Sequence, residues 1–267
     1  MSYKKNLLSI INNNKAKIGI IGLGYVGLPL ASIFAKKFKV IGFDNDKEKI
    51  NFLINGVSYI KHVSNKFLNS KNDKFFPTSN YKNIKNCDII ILCLPTPLNI
   101  HKKPDLSFIK NTLLKILDYL RQGQIIILES STYPGSTKEL ISPIISKKKF
   151  KIGKDFFVGY SPEREDPNNK KFRIQNIPKL CSGLSSSCID LTNKIYSKVV
   201  SKTVKVSNIE IAEFAKIFEN TYRSVNIALV NELKMLAKKK NLDMYQIIKA
   251  ASTKPFGFQA FDPGPGV

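Results

Sequence analysis

A doubly wound, mainly parallel α/β sheet followed by a domain built on one long helix is the fold class this sequence predicts, on three observations. Lys17 to Asp44 reads as strand, glycine turn, helix, strand and terminal acid. Two further apolar runs, Cys87 to Leu94 and Gln124 to Glu129, each end in a loop of Pro, Ser or Thr and each precede a helical pattern. Strands alternating with helices in this way argue for parallel pairing with helices on both faces. Asn208 to Lys240 then contains neither Gly nor Pro. That change of organisation divides the chain into residues 1–206 and a helical region, 207–267.

The first segment is the most informative. Ile18, Ile20 and Ile21 lead into Gly22-Leu23-Gly24-Tyr25-Val26-Gly27. Gly22 permits a tight turn, Gly24 lets backbone approach a pyrophosphate, and Gly27 lets the next helix pack on the strand. The N-terminus of that helix supplies N–H groups and partial positive charge for phosphates. Val40 to Phe43 forms the second strand and ends at Asp44, twenty-two positions after Gly22. A carboxylate there holds adenosine ribose hydroxyls and repels a 2′-phosphate. The pattern therefore predicts a Rossmann-like site for NAD rather than NADP, with Tyr25 and Val26 in the turn beside the cofactor.

Lys47 to Asn55 continues as a short helix, and Lys49 either reaches the ribose or a phosphate or is an ordinary solvated lysine. Gly56 to Tyr81 is polar and irregular, with Pro77 inside it, and reads as short helices and loops. Cys87 to Leu94 is a buried strand by its continuous apolar run, stopped by Pro95-Thr96-Pro97. Ligands of open α/β sheets bind beyond the carboxyl ends of strands, which puts Pro95 and Thr96 at the cofactor. Asp105 is placed to cap a helix running to about Leu120. Gln124 to Glu129 forms the next strand and leads into Ser130 to Thr137. There Ser136 and Thr137 read as helix caps and Thr132 as the hydroxyl facing a ligand. Phe156 to Tyr160 is a further short strand, ending in Ser161-Pro162-Glu163-Arg164-Glu165-Asp166-Pro167.

A helix over Asn208 to Lys240 would span roughly 50 Å, and its apolar breadth implies burial on more than one side. Such a helix links two domains while packing on a second subunit, so a homodimer is expected. Met244 to Ala251 forms a second helix. Lys216 and Asn220, at i and i+4, project from one face and offer several donors to one oxygen, suited to a developing alkoxide. On spacing alone an ordinary surface pair on an amphipathic helix is the better reading. Glu163, with Thr132 in support, completes the side chains expected to carry chemistry.

Composition bounds these readings. At 267 residues, 43% hydrophobic and 24% charged, the chain is ordinary for a soluble globular protein. No apolar run reaches the length a bilayer needs, and the basic N-terminus lacks a signal peptide's apolar core; a cytoplasmic location is expected. The formal charge of +23 comes from lysines spread along the whole chain, a diffuse excess that attracts an anionic nucleotide without forming a nucleic-acid patch. Cys87, Cys93, Cys181 and Cys188 form no CxxC pair, and only His62 and His101 could join them, so no metal site is expected.

Taken together, GLGYVGL (Gly22 to Leu28), Pro95-Thr96-Pro97, Glu129 to Pro134, SPER (Ser161 to Arg164), AEFAKIFEN (Ala212 to Asn220) and the terminal DPGPG resemble the UDP-glucose/GDP-mannose dehydrogenase family across essentially the whole chain. SPERE with TKPFGF and PGPG is most similar to the branch that oxidises UDP-N-acetylhexosamines. The resemblance implies oxidation of a sugar C6 alcohol to a carboxylate with two NAD consumed in turn. By it, Glu163 and Thr132 handle proton transfer or position water. Lys216 and Asn220 bind the oxyanions, and Arg164 and Arg223 join them and Glu163 at the substrate. It also implies a cysteine nucleophile in a motif directly after PGPG and a C-terminal UDP-binding domain. Neither falls within the 267 residues, so the chain is expected to be a truncated portion that binds NAD without forming the uronic acid. Pro167 and Asn168 depart from residues that relatives carry. Two readings stay open beside this one: a β-hydroxyacid dehydrogenase, which also pairs a Lys and Asn on a long helix, and a non-catalytic NAD-binding dimer.

Overall fold

A computed structural model describes residues 2–61, 63–69, 74–165 and 173–265; His62, Pro167 and Asn168, noted above, lie outside them. The described residues divide into two units, Met1–Phe214 and Ala215–Val267.

In the first unit, β1 (Lys17–Ile21), β2 (Lys39–Phe43), β3 (Phe75–Thr78), β4 (Ile89–Leu92), β5 (Ile125–Leu128), β6 (Phe157–Tyr160), β7 (Lys179–Gly183) and β8 (Thr203–Lys205) form one sheet. Their spatial order is β3-β2-β1-β4-β5-β6-β7-β8. All neighbours pair parallel except β6 and β7. The first six strands follow the doubly wound order whose direction reverses between β1 and β4. The two IIIL strands lie in register, Ile89 opposite Ile125 through Leu92 opposite Leu128.

Period-two alternation divides the strand side chains between two cores. Ile18, Ile20, Ile89, Ile91, Ile125 and Ile127 face one side with Leu7 and Ile11 of α1 (Tyr3–Asn12), α2 (Gly27–Phe34) and α7 (Ser186–Tyr196). Ile21, Ile90, Leu92, Ile126 and Leu128 face the other with α5 (Ser107–Ile116) and α6 (Ser136–Ser146). Short helices α3 (Lys47–Ile54) and α4 (Asn65–Asn69) precede β3.

One segment corrects the expectation. Gly56 to Tyr81 was read as helices and loops, but Phe75–Thr78 pairs parallel with β2. Pro77 is tolerated because β3 is the sheet's edge, where one side of a strand needs no ladder donors. Asp105 does accept the Ser107 N–H at 2.9 Å, although its helix is α-helical only to Ile116.

Helix α8 (Ile209–Lys239, 31 residues) runs as long as expected. Its first turn buries Ile209 and Ala212 in the second core. In the second unit, α9 (Met244–Ala251) packs Met244 and Ile248 on Ala237 and Val230 of α8. The following segment runs along the same helix. Tyr222 meets Phe261 edge-on at 5.7 Å, and Asn231 and Gly264 exchange hydrogen bonds of 2.7 and 3.1 Å.

Candidate functional site

A cleft of about 550 Å³ opens at the carboxyl ends of β1, β4 and β5, where the strand order reverses. Its walls include Gly22, Gly24, Tyr25, Val26, Asp44, Lys49, Pro95 and Thr96. Of the ten residues expected at the cofactor, only Gly27 and Thr132 do not line it.

Gly22 has φ +91°, a left-handed conformation that side chains rarely adopt. A Cβ on Gly27 would sit 1.8 Å from the Gly22 carbonyl oxygen, whereas one on Gly24 would meet nothing within 4 Å. Gly27 is therefore closed by packing, and Gly24 faces open space through which a ligand can approach backbone. The N-terminus of α2 has no side-chain cap, so its donors are not claimed by a capping side chain. Asp44 is 7% exposed. One carboxylate oxygen accepts the Leu23 N–H at 2.9 Å and the other accepts the Asp46 N–H at 3.0 Å. The glycine turn thus aims the acid, whose remaining lone pairs can take ribose hydroxyls. These features fit a dinucleotide. Lys49 lines the same cleft with its ammonium 3.7 Å from Asp46. The Thr96 hydroxyl donates to the Ser131 carbonyl at 2.8 Å, which leaves its lone pairs for a ligand.

Glu163 forms part of the wall as well, and its carboxylate accepts the Glu165 N–H. The Arg164 guanidinium, expected at the substrate, donates to the Pro178 carbonyl at 2.8 Å. Thr132 differs from expectation in where it points. It is 4% exposed, with its hydroxyl 3.5 Å from Glu213 Oε1. Ser136 and Thr137, read as caps, donate to Glu213 through their hydroxyls at 3.0 and 2.5 Å. The backbone N–H groups of Gly135 and Thr137 do so at 2.6 and 2.9 Å. The acceptor for this helix start comes from α8, not from the loop itself: the position before Ser136 is a glycine, which offers no side chain.

Sequence reasoning also missed a buried cluster behind the cleft. Glu129 and Lys179 are 1% and 4% exposed at their side chains and 2.5 Å apart; the Tyr196 hydroxyl donates to the other Glu129 oxygen. The available signal was a carboxylate ending an otherwise apolar central strand, which demands a partner.

All four cysteines are free. Burial raises the Cys87 and Cys181 thiols to about 12 and pushes those of Cys93 and Cys188 upward too. None is an activated nucleophile. Among the described residues no group of three or more His, Cys, Asp or Glu is placed to hold a metal ion, and no helix is long and apolar enough to cross a membrane. In the second unit Lys216 is buried, and Arg223 donates to the Asn220 side-chain oxygen at 2.8 Å.

Residues 16–200 match the UDP-glucose/GDP-mannose dehydrogenase family, NAD binding domain, and residues 210–267 match its central domain. The chain belongs to that family. The cleft is therefore that of an NAD-binding domain. The UDP-N-acetyl-D-glucosamine 6-dehydrogenase of Salmonella typhi is 41% identical over 253 residues, covering 94% of this chain and 59% of that protein. The solved UDP-D-ManNAc dehydrogenase of Pyrococcus horikoshii superposes with a TM-score of 0.88 at 31% identity, covering 94% of this chain and 60% of that one. The native UDP-N-acetyl-mannosamine dehydrogenase Cap5O of Staphylococcus aureus gives 0.84 at 30% identity, covering 94% and 62%. The chain thus spans about 59% of the length of the curated relatives it matches. The solved 3-hydroxyisobutyrate dehydrogenase of Mycobacterium tuberculosis superposes with a TM-score of 0.64 at 14% identity, a likeness of fold alone.

Proposed function

We propose that the protein oxidises the C6 alcohol of a UDP-N-acetylhexosamine with NAD, in the cytoplasm, for surface polysaccharide synthesis. The observation that supports this best is Glu163 on the wall of the NAD cleft, carried by the SPER loop. The glycine turn and Asp44 would hold NAD in this cleft, where it would supply the hydride acceptor for oxidation at C6. Glu163 takes or relays the alcohol proton, while Thr132 stays at the loop that shapes this end of the site. Lys216 and Asn220 donate to the alkoxide, with Arg164 and Arg223 toward the substrate. Residues 1–206 hold the cofactor and 207–267 supply the central helix.

Cys87, Cys181 and Cys188 are buried and Cys93, on the cleft wall, is half-buried; burial raises all four thiols, which does not suit capture of an aldehyde, so we assign this chain no thioester step. NADH formation by the purified chain is to be measured with UDP-N-acetylglucosamine, UDP-N-acetylmannosamine, UDP-glucose and a panel of hydroxy acids. The expected result is NAD binding, hydride transfer from a UDP-N-acetylhexosamine only, and no sustained uronic acid. Oxidation of a hydroxy acid, or steady turnover to carboxylate, would contradict it.

We also propose a homodimer through α8. Phe218, Tyr222, Val225, Leu229, Leu233 and Leu236 are 42–63% exposed and recur at spacings of three and four, one continuous apolar stripe. Sedimentation at micromolar concentration should give a dimer mass; a monomer would remove this reading.

A further inference from the structure

Strands β6 and β7 pair antiparallel through Gly159 opposite Gly183 and Tyr160 opposite Ser182. The chain then reaches Pro162, which has no N–H to continue a ladder and whose carbonyl still needs a donor. A side chain supplies it. Lys179 Nζ donates to the Pro162 carbonyl at 3.1 Å and to Glu129 Oε2 at 2.5 Å, so one ammonium stands in for the missing rung. Lys179 is 3% exposed, and a charge so enclosed persists only when paired. Glu129 pairs it, and Tyr196 in turn holds Glu129. On either side of Pro162 the Ser161 hydroxyl donates to the Leu180 carbonyl at 2.6 Å and the Glu163 N–H approaches the Glu129 carbonyl at 3.4 Å. The next residue, Glu163, is the one on the cleft wall.

We propose that Lys179 is a positioning residue for Glu163: its ammonium pins the Pro162 carbonyl, and Glu129 and Tyr196 hold that ammonium in place. The inference rests on the reading of Glu163 as the group that handles the substrate proton. A simple fold-stabilising ion pair would share the geometry but would not separate kcat from cofactor binding.

Because Glu129 also lines the cleft and pairs the ammonium, both charges are removed together so that neither is left alone in the interior. Glu129→Gln/Lys179→Gln keeps an amide donor toward the Pro162 carbonyl, and Glu129→Gln/Lys179→Met removes the donor in the same uncharged background. Relative to the Gln/Gln variant, the Gln/Met variant should lose about 100-fold in kcat, the scale of a misplaced reacting group, with the KM for NAD unchanged within about threefold. Lys179→Arg, which can still donate to both partners, should keep most of the unmutated kcat. Amide hydrogen exchange at Glu163 should be faster in the Gln/Met variant than in the Gln/Gln variant. Equal kcat in the two variants would overturn the proposal while leaving the functional reading intact. If the unmutated protein forms no NADH from any UDP-sugar, the functional reading fails instead. Exchange at Glu163 then decides the anchor: equal exchange in the two variants overturns it, and faster exchange in the Gln/Met variant supports it.

Discussion

Truncating Glu213 to Ala tests whether one buried carboxylate holds the start of α6 to the start of α8. Glu213 is fully buried and accepts four bonds of 2.5–3.0 Å, from the Gly135 and Thr137 backbone and from the Ser136 and Thr137 hydroxyls. The two hydroxyls can rotate toward other acceptors, but the two backbone N–H groups cannot. Each buried donor left unpaired costs about 1–3 kcal/mol. Loss of negative charge at a partly buried helix N-terminus adds up to about 2 kcal/mol. These terms overlap, and about 4 kcal/mol is a fair central figure. For a chain of this size that corresponds to a fall in Tm of roughly 8–16 °C.

Glu213→Gln should cost about half as much. Its oxygen can keep the crowded Oε1 position, and only the Gly135 N–H then confronts an amide NH2. Thermal unfolding followed by circular dichroism should therefore rank wild type above Gln and Gln above Ala. A melting point for Glu213→Ala within about 2 °C of wild type would refute the claim that this carboxylate secures the helix start.

Four further outcomes follow from the structure. Gly24→Ala should fold like wild type yet bind NAD weakly, because its methyl enters open space at the cradle. Gly27→Ala should fail to fold or lose binding outright, because its methyl falls 1.8 Å from the Gly22 oxygen; calorimetric NAD titration and melting curves separate the two. Asp44→Ala should weaken NAD binding by about 10–100-fold, the worth of one or two charge-assisted hydrogen bonds, and narrow the preference over NADP; an unchanged preference would remove Asp44 from the ribose. Stability should also fall at alkaline pH. The folded thiols of Cys87 and Cys181 ionise only at about 12, while unfolded cysteines ionise near pH 8.5. The folded state thus binds those protons more tightly, and its advantage is complete below about pH 8.5 and declines above it by about 1.4 kcal/mol per thiol per pH unit. Urea unfolding at stepped pH should show that decline, and Cys87→Ala should make it shallower.

The sequence made visible whatever is decided within a few residues. The glycine turn, the acid after β2, the two IIIL strands and both helices of the second unit all stand where their local patterns place them. Each is a short-range signal: a period, a breaker or a cap. Strand β3 escaped because Pro77 argues against a strand unless the strand is at an edge, and edge position is a property of the finished sheet. Thr132 shows a related limit: its loop is rich in hydroxyls and follows a strand end, which reads as ligand-facing, while the carboxylate beside its hydroxyl, Glu213 at 3.5 Å, comes from 81 residues away.

The two buried carboxylates that sequence reading passed over share one physical origin. Glu129 ends a central strand, and Glu213 sits in the first turns of a helix that otherwise reads as amphipathic. In a linear sequence Glu213 is not distinguishable from a solvated acid, and the apolar run before Glu129 signals only that a partner is needed, because the partners that confer burial are 76 and 50 residues distant. Yet desolvation makes such a residue costly unless every oxygen is matched, so the fold must bring donors to it from elsewhere. Around Glu129 those donors are Lys179 and Tyr196, and around Glu213 they are the α6 start. The first set ties the end of β5 to the loop that follows β6, and the second holds the loop that follows β5. The stretches that shape the cleft are thus secured by their most expensive contacts, while its floor is secured by ordinary apolar packing. Destabilisation of the two networks and changes in cofactor or substrate handling should therefore travel together, whereas core substitutions beneath β1 and β4 should lower stability alone.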